Sequence, residues 1–398
     1  MTNSTNDIGP PQLSFAALFL KFLRFGLLAF GGPVAQIAML RHALVEQERW
    51  IAPARFNRLL AVLQILPGPE AHELCVHLGM VARGRRGGLV AGLGFMLPGF
   101  LLMLAAGWLY VRWIAGHVGP SRALLGVQIV VLAIIARAVV RIGQHIIEDR
   151  LLAVIAVIAT LTTLAGVPFW IPLIAGGVAY CLVDRPIVAL AIMILLPLTA
   201  AAAAHWTGGA ASHAPVAVGA PVTLAMLFIA GLKGGLLTFG GAYTAIPYVR
   251  ADTVGRGWIS DGAFLDGIAL AGVLPAPLVI FATFVGYIVG GPVGALVITL
   301  GMFLPAFAFS LILFERLEAV IENPALHRLL SGVAAAVVGI IAATFVQLGQ
   351  ATVVRVADPI AAVILFAVAL AVAWRVKGAW VTPAIVAGGA IVGWLVTL

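Results

Sequence analysis

The chain is poor in charge. Only 10% of its 398 residues are Asp, Glu, Lys or Arg, while 63% are hydrophobic. A soluble domain is about one-quarter charged, so this sequence lacks the polar side chains needed to cover a water-facing surface. Cysteine is nearly missing as well. Cys75 and Cys181 lie far apart in apolar surroundings, which argues against a disulfide framework or a cysteine metal site. No glycine-rich phosphate loop, nucleotide-binding domain or Ser/His/Asp set is visible, so any pumping needs an ion gradient or a partner rather than ATP hydrolysis by this chain. The net charge of +8 comes without a basic-aromatic motif, which speaks against nucleic acid and for basic loops flanking a membrane. Residues 1–12 are polar and lack the basic region and cleavage site of a secretory leader, so the first hydrophobic segment is expected to be retained.

What is present is a long series of apolar runs. Many reach the roughly 20 residues that a helix needs to cross a bilayer, and the mean hydropathy is +1.13. The chain is therefore an all-α polytopic membrane protein. Candidate spans lie near 13–40, 59–82, 88–115, 121–146, 151–166 and 168–183, followed by a run at 186–204. A second set lies near 221–249, 263–289, 292–314, 326–350, 358–376 and 379–397. These give 10–13 transmembrane segments in an order of six, one and six. The expected divisions are a polar tail (1–12), an N-terminal repeat (13–184), a linker helix and loop (185–219) and a C-terminal repeat (220–398).

The two sets repeat one another. Residues 24–32 read Arg-Phe-Gly-Leu-Leu-Ala-Phe-Gly-Gly and residues 233–241 read Lys-Gly-Gly-Leu-Leu-Thr-Phe-Gly-Gly. Arg41 and Arg250 keep the same offset of 209 residues as Gly31 and Gly240. Leu66-Pro67-Gly68-Pro69 is answered by Leu274-Pro275-Ala276-Pro277, and Leu97-Pro98 by Leu304-Pro305. Gly126 matches Gly332, and the Ala-Gly-Gly at 175–177 matches that at 387–389. If every segment crosses, seven spans precede the second half and invert it, the arrangement in which inverted repeats build a site at mid-depth. Loop charge disagrees in part, because Arg49, Arg55 and Arg58 then fall on the less basic side. A re-entrant 59–82 removes that conflict. Segments 151–166 and 168–183 are short enough to form a helical hairpin. Inverted halves are the favoured arrangement.

The repeated breaks carry the candidate chemistry. Backbone opened inside hydrocarbon must be buried in protein or line a wet cavity. Gly31-Gly32-Pro33 and Gly240-Gly241-Ala242 are such openings, with Phe30 and Phe239 before them. A proline after the glycines suits the first turn of a restarting helix, whose free N–H groups attract anions. Close helix packing is the simpler explanation of one Gly-Gly pair, but its recurrence with flanking cations favours function. Arg24, Arg41, Lys233 and Arg250 either snorkel to the interface or supply charge to an oxyanion. Pro67, Gly68 and Pro69, with Pro275 and Pro277, form the second pair of breaks. The first is followed by Glu70, His72 and Glu73, the most polar piece of any apolar run, whereas the second is followed only by apolar residues. Intramembrane acids are candidates for ion coupling, so a proton-linked role is assigned to Glu70, His72 and Glu73 as a specialisation of the first half. His72 and His77 are five apart and face different ways on a helix, so a zinc-protease motif is excluded, and no metal or cofactor is expected. Arg137 and Arg141 share a helical face and are taken to mark the basic end of their span.

As a set, Phe30-Gly31-Gly32-Pro33, the Trp50 loop, Leu66-Pro67-Gly68-Pro69 and Leu97-Pro98 resemble the motifs of the chromate ion transporter family. Phe239-Gly240-Gly241-Ala242-Tyr243 and Leu274-Pro275-Ala276-Pro277 resemble its C-terminal repeat, so the likeness is to the long, two-domain form. The chain departs from that pattern at Glu70-Ala71-His72-Glu73, where many members carry Ser or Thr. The resemblance implies a carrier of the cell inner membrane that exports chromate, coupled to protons, and confers chromate resistance. Sulfate, nearly isosteric with chromate, is the expected competitor, and a homodimer is among the assemblies it allows. A sulfate or other oxyanion transporter, working by uptake or exchange, is the competing transport reading. From a different class, a membrane enzyme or flippase acting on lipid-linked substrates would need acids open to the lipid side.

Overall fold

The computed structural model describes residues 9–30, 32–65, 68–114, 118–206, 222–238, 242–313, 324–376, 378 and 380–396. These residues form fifteen α-helices and no strand. In the first half they are α1 (Phe15–Leu27), α2 (Gly32–Arg41), α3 (Pro53–Ile65), α4 (Glu70–Leu109), α5 (Val118–Ile146), α6 (Arg150–Leu164) and α7 (Trp170–Cys181), followed by the linker helix α8 (Pro186–Trp206). The second half holds α9 (Leu224–Leu236), α10 (Ile246–Thr253), α11 (Asp261–Val273), α12 (Phe281–Ala308), α13 (Pro324–Val353), α14 (Pro359–Arg375) and α15 (Val381–Leu395).

Helix α4 is not a single rod of 40 residues. Arg83 (φ −148°, ψ 35°) and Gly84 (φ 61°, ψ −163°) leave helical geometry, and the two arms fold back on each other. In a straight helix Gly79 and Ala91 would lie about 18 Å apart. Here they touch, Gly87 rests on the Gly79 carbonyl, and Gly88 sits on the Val76 carbonyl. Helix α12 repeats the device at Gly290 (φ −138°, ψ 21°) and Gly291 (φ 61°, ψ −157°), with Gly286 packed on Gly294. Both second positions use backbone angles that only glycine adopts without strain. The first arms, 70–82 and 281–289, are too short to cross about 30 Å of hydrocarbon, whereas the arm 85–109 runs about 37 Å.

The helices before each fold-back also turn round. Beside α1, the chain after α2 returns so that Trp50 packs on Phe22 at 6.3 Å and Glu48 pairs with Lys21 at 2.5 Å. Beside α9, Asp252 at the end of α10 pairs with Lys233 at 3.0 Å. Helices α6 and α7 form a third kind of hairpin, closed at its base by a 2.7 Å bond from the Tyr180 hydroxyl to Asp149. The segments expected as spans near 13–40, 59–82, 221–249 and 263–289 are therefore helical hairpins that enter and leave at one end of the bundle. Among the described residues, the helices long and apolar enough to cross are those holding the second arms of α4 and α12, together with α5 and α13, and α8 at 21 residues has the length to cross as well.

The two halves are inverted. Along α4 and α12, Gly88 meets Leu311, Gly92 meets Phe307 and Gly107 meets Tyr287, so one sequence rises as the other falls. Parity agrees: two full crossings in the first half plus α8 make an odd number. The matched glycines are reciprocal contacts. Gly126 of α5 packs on Gly389 and Gly393 of α15, while Gly332 of α13 packs on Gly176 of α7. Each half thus lends a glycine-faced helix to the other, as small residues allow in membranes. The fold-back of α4 also moves Arg49, Arg55, Arg83, Arg85 and Arg86 to one end, where Arg83 donates to the Leu13 carbonyl. Arg256, placed with the N-terminus if every segment crossed, lies at the opposite end, paired with Asp252.

Candidate functional site

Each half contributes two hairpin tips, and the prolines of the full-length arms set their depth. Gly26, one turn before the first Phe-Gly-Gly, packs against Pro98, and Gly235 packs against Pro305 in the same way, each with its glycine Cβ position 3.1 Å from the proline Cγ. Pro98 lies about 20 Å along the arm that begins at residue 85, roughly halfway through a bilayer. The Leu-Pro motifs at 97–98 and 304–305 therefore hold the breaks at mid-depth.

The four tips meet across the halves. The Gly68 N–H, in the first Pro-x-Pro break, donates to the Thr238 carbonyl beside the second Phe-Gly-Gly, at 2.8 Å. In the mirrored place, Gln36 Nε2 donates to the Ala29 carbonyl at 2.9 Å and to the Ala276 carbonyl at 3.0 Å. Gly99 lies on Ala276 and Ala306 lies on Gly68, again as a reciprocal pair. Left-handed φ values of 80° at Gly32 and 151° at Gly68 explain why glycine stands at both tips. The Ala29 and Thr238 carbonyls just past α1 and α9 are thus satisfied, while α2 and the first arm of α4 start at these tips, and α12 follows its tip after a short 3-10 turn at Leu278–Ile280, so that helix N-termini point toward the junction.

Helix α2 begins at Gly32 with Pro33 in its first turn, as expected for a restarting helix. Pro69 caps the start of α4, and Pro275 and Pro277 are buried at the fourth tip. Phe30 stacks at 5.4 Å on Trp380, at the tip of the α14–α15 hairpin. Gly31, Pro67, Phe239, Gly240 and Gly241 lie outside the described residues.

The acids stand where the tips converge. Glu73 is fully buried against Gly68, and neither carboxylate oxygen has a hydrogen-bond partner among the described residues. Glu70 is 8% exposed. His72 is enclosed by second-half rings, Phe303 at 4.9 Å and Phe307 at 4.7 Å.

The four cations are not gathered into one cluster. Lys233 is paired with Asp252, and Arg250 binds Asp261 and Gln347 at 2.8 Å each. Arg41 lies 3.5 Å from Glu46 on an exposed surface, and Arg24 is exposed at the end of α1. A half-buried cation near the tips is Arg137 of α5, which is within electrostatic reach of Tyr243, two residues past the second Gly-Gly. It has no ion-pair partner among the described residues.

Sequence reasoning missed Gln36, Trp380 and a buried polar cluster around Asp266. The signal for Asp266 was available, since it is a lone acid inside the apolar run 263–289. Gln36 and Trp380 carry no local mark, because their partners Ala276 and Phe30 are remote in sequence.

Inverted halves, discontinuous helices and breaks that meet at mid-depth define an inverted-repeat membrane carrier. Comparison with known proteins identifies which. The chain belongs to the chromate transporter family, whose model matches residues 16–181 and 225–394. It is 54% identical to a chromate transport protein of Pseudomonas aeruginosa over 99% of this chain and 95% of that one. It is 31% identical to a chromate transport protein of Cupriavidus metallidurans, covering 96% and 93% of the two chains. A probable chromate transport protein of Synechococcus elongatus is 30% identical over 85% of this chain and 86% of its own. No solved structure matches the chain.

Proposed function

We propose that this protein exports chromate from the cytoplasm across the inner membrane in exchange for protons, and that it thereby confers chromate resistance. The observation that carries the reading is the reciprocal pairing of breaks, Gly68 with Thr238 and Gln36 with Ala29 and Ala276. It makes one composite site from both halves, and similarity to chromate transport proteins supplies the substrate. A tetrahedral dianion would bind free N–H groups of the converging helix starts, Pro33 and Pro69 fixing two of them. Arg137 would supply the nearest unpaired positive charge, and the paired cations Lys233 and Arg250 a screened field. Arg24 and Arg41 would act on the approach to the site.

The buried acids supply the coupling. Glu73 beside Gly68 cannot stay charged cheaply without a partner, and the helix N-terminus it occupies favours an anion. Exchange would then need the site to carry the proton on Glu73 in one direction and the dianion in the other, never both at once. Glu70 and His72 flank this switch. Loop charge supports the orientation this reading needs, because the end holding Arg49, Arg55, Arg83, Arg85 and Arg86 would be cytoplasmic by the positive-inside bias.

Chromate accumulation in cells expressing the chain tests the reading. Expression is expected to lower intracellular chromate several-fold, and Arg24→Ala, Lys233→Ala and Glu70→Gln made at wild-type level are expected to restore it. Unchanged export in all three variants would remove this site. Unchanged chromate with altered sulfate content would reassign the substrate.

A further inference from the structure

Away from the acids of the first half, a further buried carboxylate lies in the second half. Asp266 sits on α11 and is 2% exposed. Its two oxygens are held by different elements. Oδ2 accepts from the Tyr110 hydroxyl at 2.8 Å, just past α4, and Oδ1 accepts from Gln128 Nε2 of α5 at 2.7 Å. Gln128 Nε2 also donates to the Gly262 carbonyl at 3.2 Å, and its Oε1 accepts from Arg355 at 2.7 Å. Arg355 follows α13 and is exposed. The Tyr110 ring leans on Phe284 of α12 at 5.0 Å.

Position gives this cluster its meaning. Helix α11 runs from the end of the bundle opposite the basic loops inward to Pro275. Asp266 is therefore about a turn and a half inside that end, whereas Glu73 is at the depth of the breaks. The other charged group of α11, Asp261, is taken up by Arg250. Next to Asp266, Gly267 packs on Phe284 of α12, and further along α11 Gly272 packs on Thr382 of α15, neither of them titratable. Among the described residues, Tyr110 and Arg355 are the titratable or charged groups joined to the cluster. A carboxylate that one exposed arginine reaches only through an amide is incompletely compensated, so it can take up a proton without losing the fold. Tyr110 can reverse its hydrogen bond when that happens.

We infer that Asp266 is the proton-binding carboxyl on the entry side of the carrier, taking one proton from the face opposite the basic loops before it passes to the acids at the breaks. The assignment rests on the proton-coupled reading above. It also gives the halves a partial likeness, because the second hairpin of each then carries buried acid, Glu70 and Glu73 on its second arm in one and Asp266 on its first arm in the other.

Purified protein in liposomes separates the possibilities. Labelled-chromate exchange at equal pH and chromate accumulation driven by a pH gradient are measured for wild type, Asp266→Asn and Tyr110→Phe, with melting temperature as the folding check. Asp266→Asn is expected to keep exchange within about twofold and to lose gradient-driven accumulation by at least tenfold, since Asn keeps the shape and cannot carry the proton. Tyr110→Phe is expected to slow accumulation several-fold with exchange intact. Equal loss of both modes in a normally melting Asp266→Asn would make the residue a structural latch and overturn the inference. Unchanged accumulation in Asp266→Asn beside a responsive wild type would overturn it alone. A wild type that exchanges chromate but ignores the gradient would overturn the coupling reading and this inference together.

Discussion

At the residue scale, a few unassuming side chains make the site. Gln36 ties the end of α1 to the fourth tip, and its removal leaves the Ala29 and Ala276 carbonyls without that donor. Unsatisfied buried polar groups cost about 1–3 kcal/mol each. Gln36→Ala strands two carbonyls but also removes the side chain's own buried, unpartnered Oε1, so a net destabilisation of about 1–3 kcal/mol is expected in thermal unfolding in detergent, with chromate flux lowered more than in a surface Gln47→Ala control. Arg137→Gln removes the unpaired cation beside Tyr243. Charged hydrogen bonds contribute about 1.5–3 kcal/mol, so a ten- to hundredfold rise in the chromate concentration for half-maximal flux is expected. An unchanged value would place the anion elsewhere. Neither residue was legible as such in the sequence. Gln36 is one amide in an apolar run, and Arg137 reads there as the basic end of a span, because depth is set by the fold-back of a different helix.

At the element scale, the device that matters is the half-length hairpin. Its tips were legible, because proline and glycine interrupt an apolar run only where backbone can be satisfied otherwise. Its turning was not. Residues 13–40 hold enough apolar length for one crossing, and nothing local says that the chain returns beside α1, since that return is fixed by Trp50 on Phe22 and Glu48 on Lys21. Likewise Gly84, inside the basic run 83–86, looks like any loop glycine, yet its φ of 61° lets the first arm of α4 lie along the second. A residue with a Cβ there would be strained by about 1–3 kcal/mol. Gly84→Ala and Gly291→Ala are each expected to lower the melting temperature measurably, while Gly349→Ala, with open space around it, is not. Equal effects at all three positions would mean that the fold-backs are not constrained as described.

At the scale of the whole molecule, the halves are inverted and interlocked. The duplication was legible from the offset of 209 residues, and the inverted sense was expected, but by counting every segment as a crossing. The same parity now follows from fewer crossings, which also brings Arg49 and Arg55 to the basic end. Single cysteines replacing Arg85 and Val293, next to the two fold-backs, are expected to react with an impermeant thiol reagent from opposite sides of the membrane. Labelling from one side would make the halves parallel.

The most direct test of the account is labelled-chromate flux in everted membrane vesicles under an imposed pH gradient, acid inside. Uptake that follows the gradient, collapses with a protonophore and is abolished in Glu73→Gln is the predicted result. Chromate movement indifferent to the gradient, or wild-type uptake in Glu73→Gln, would contradict it.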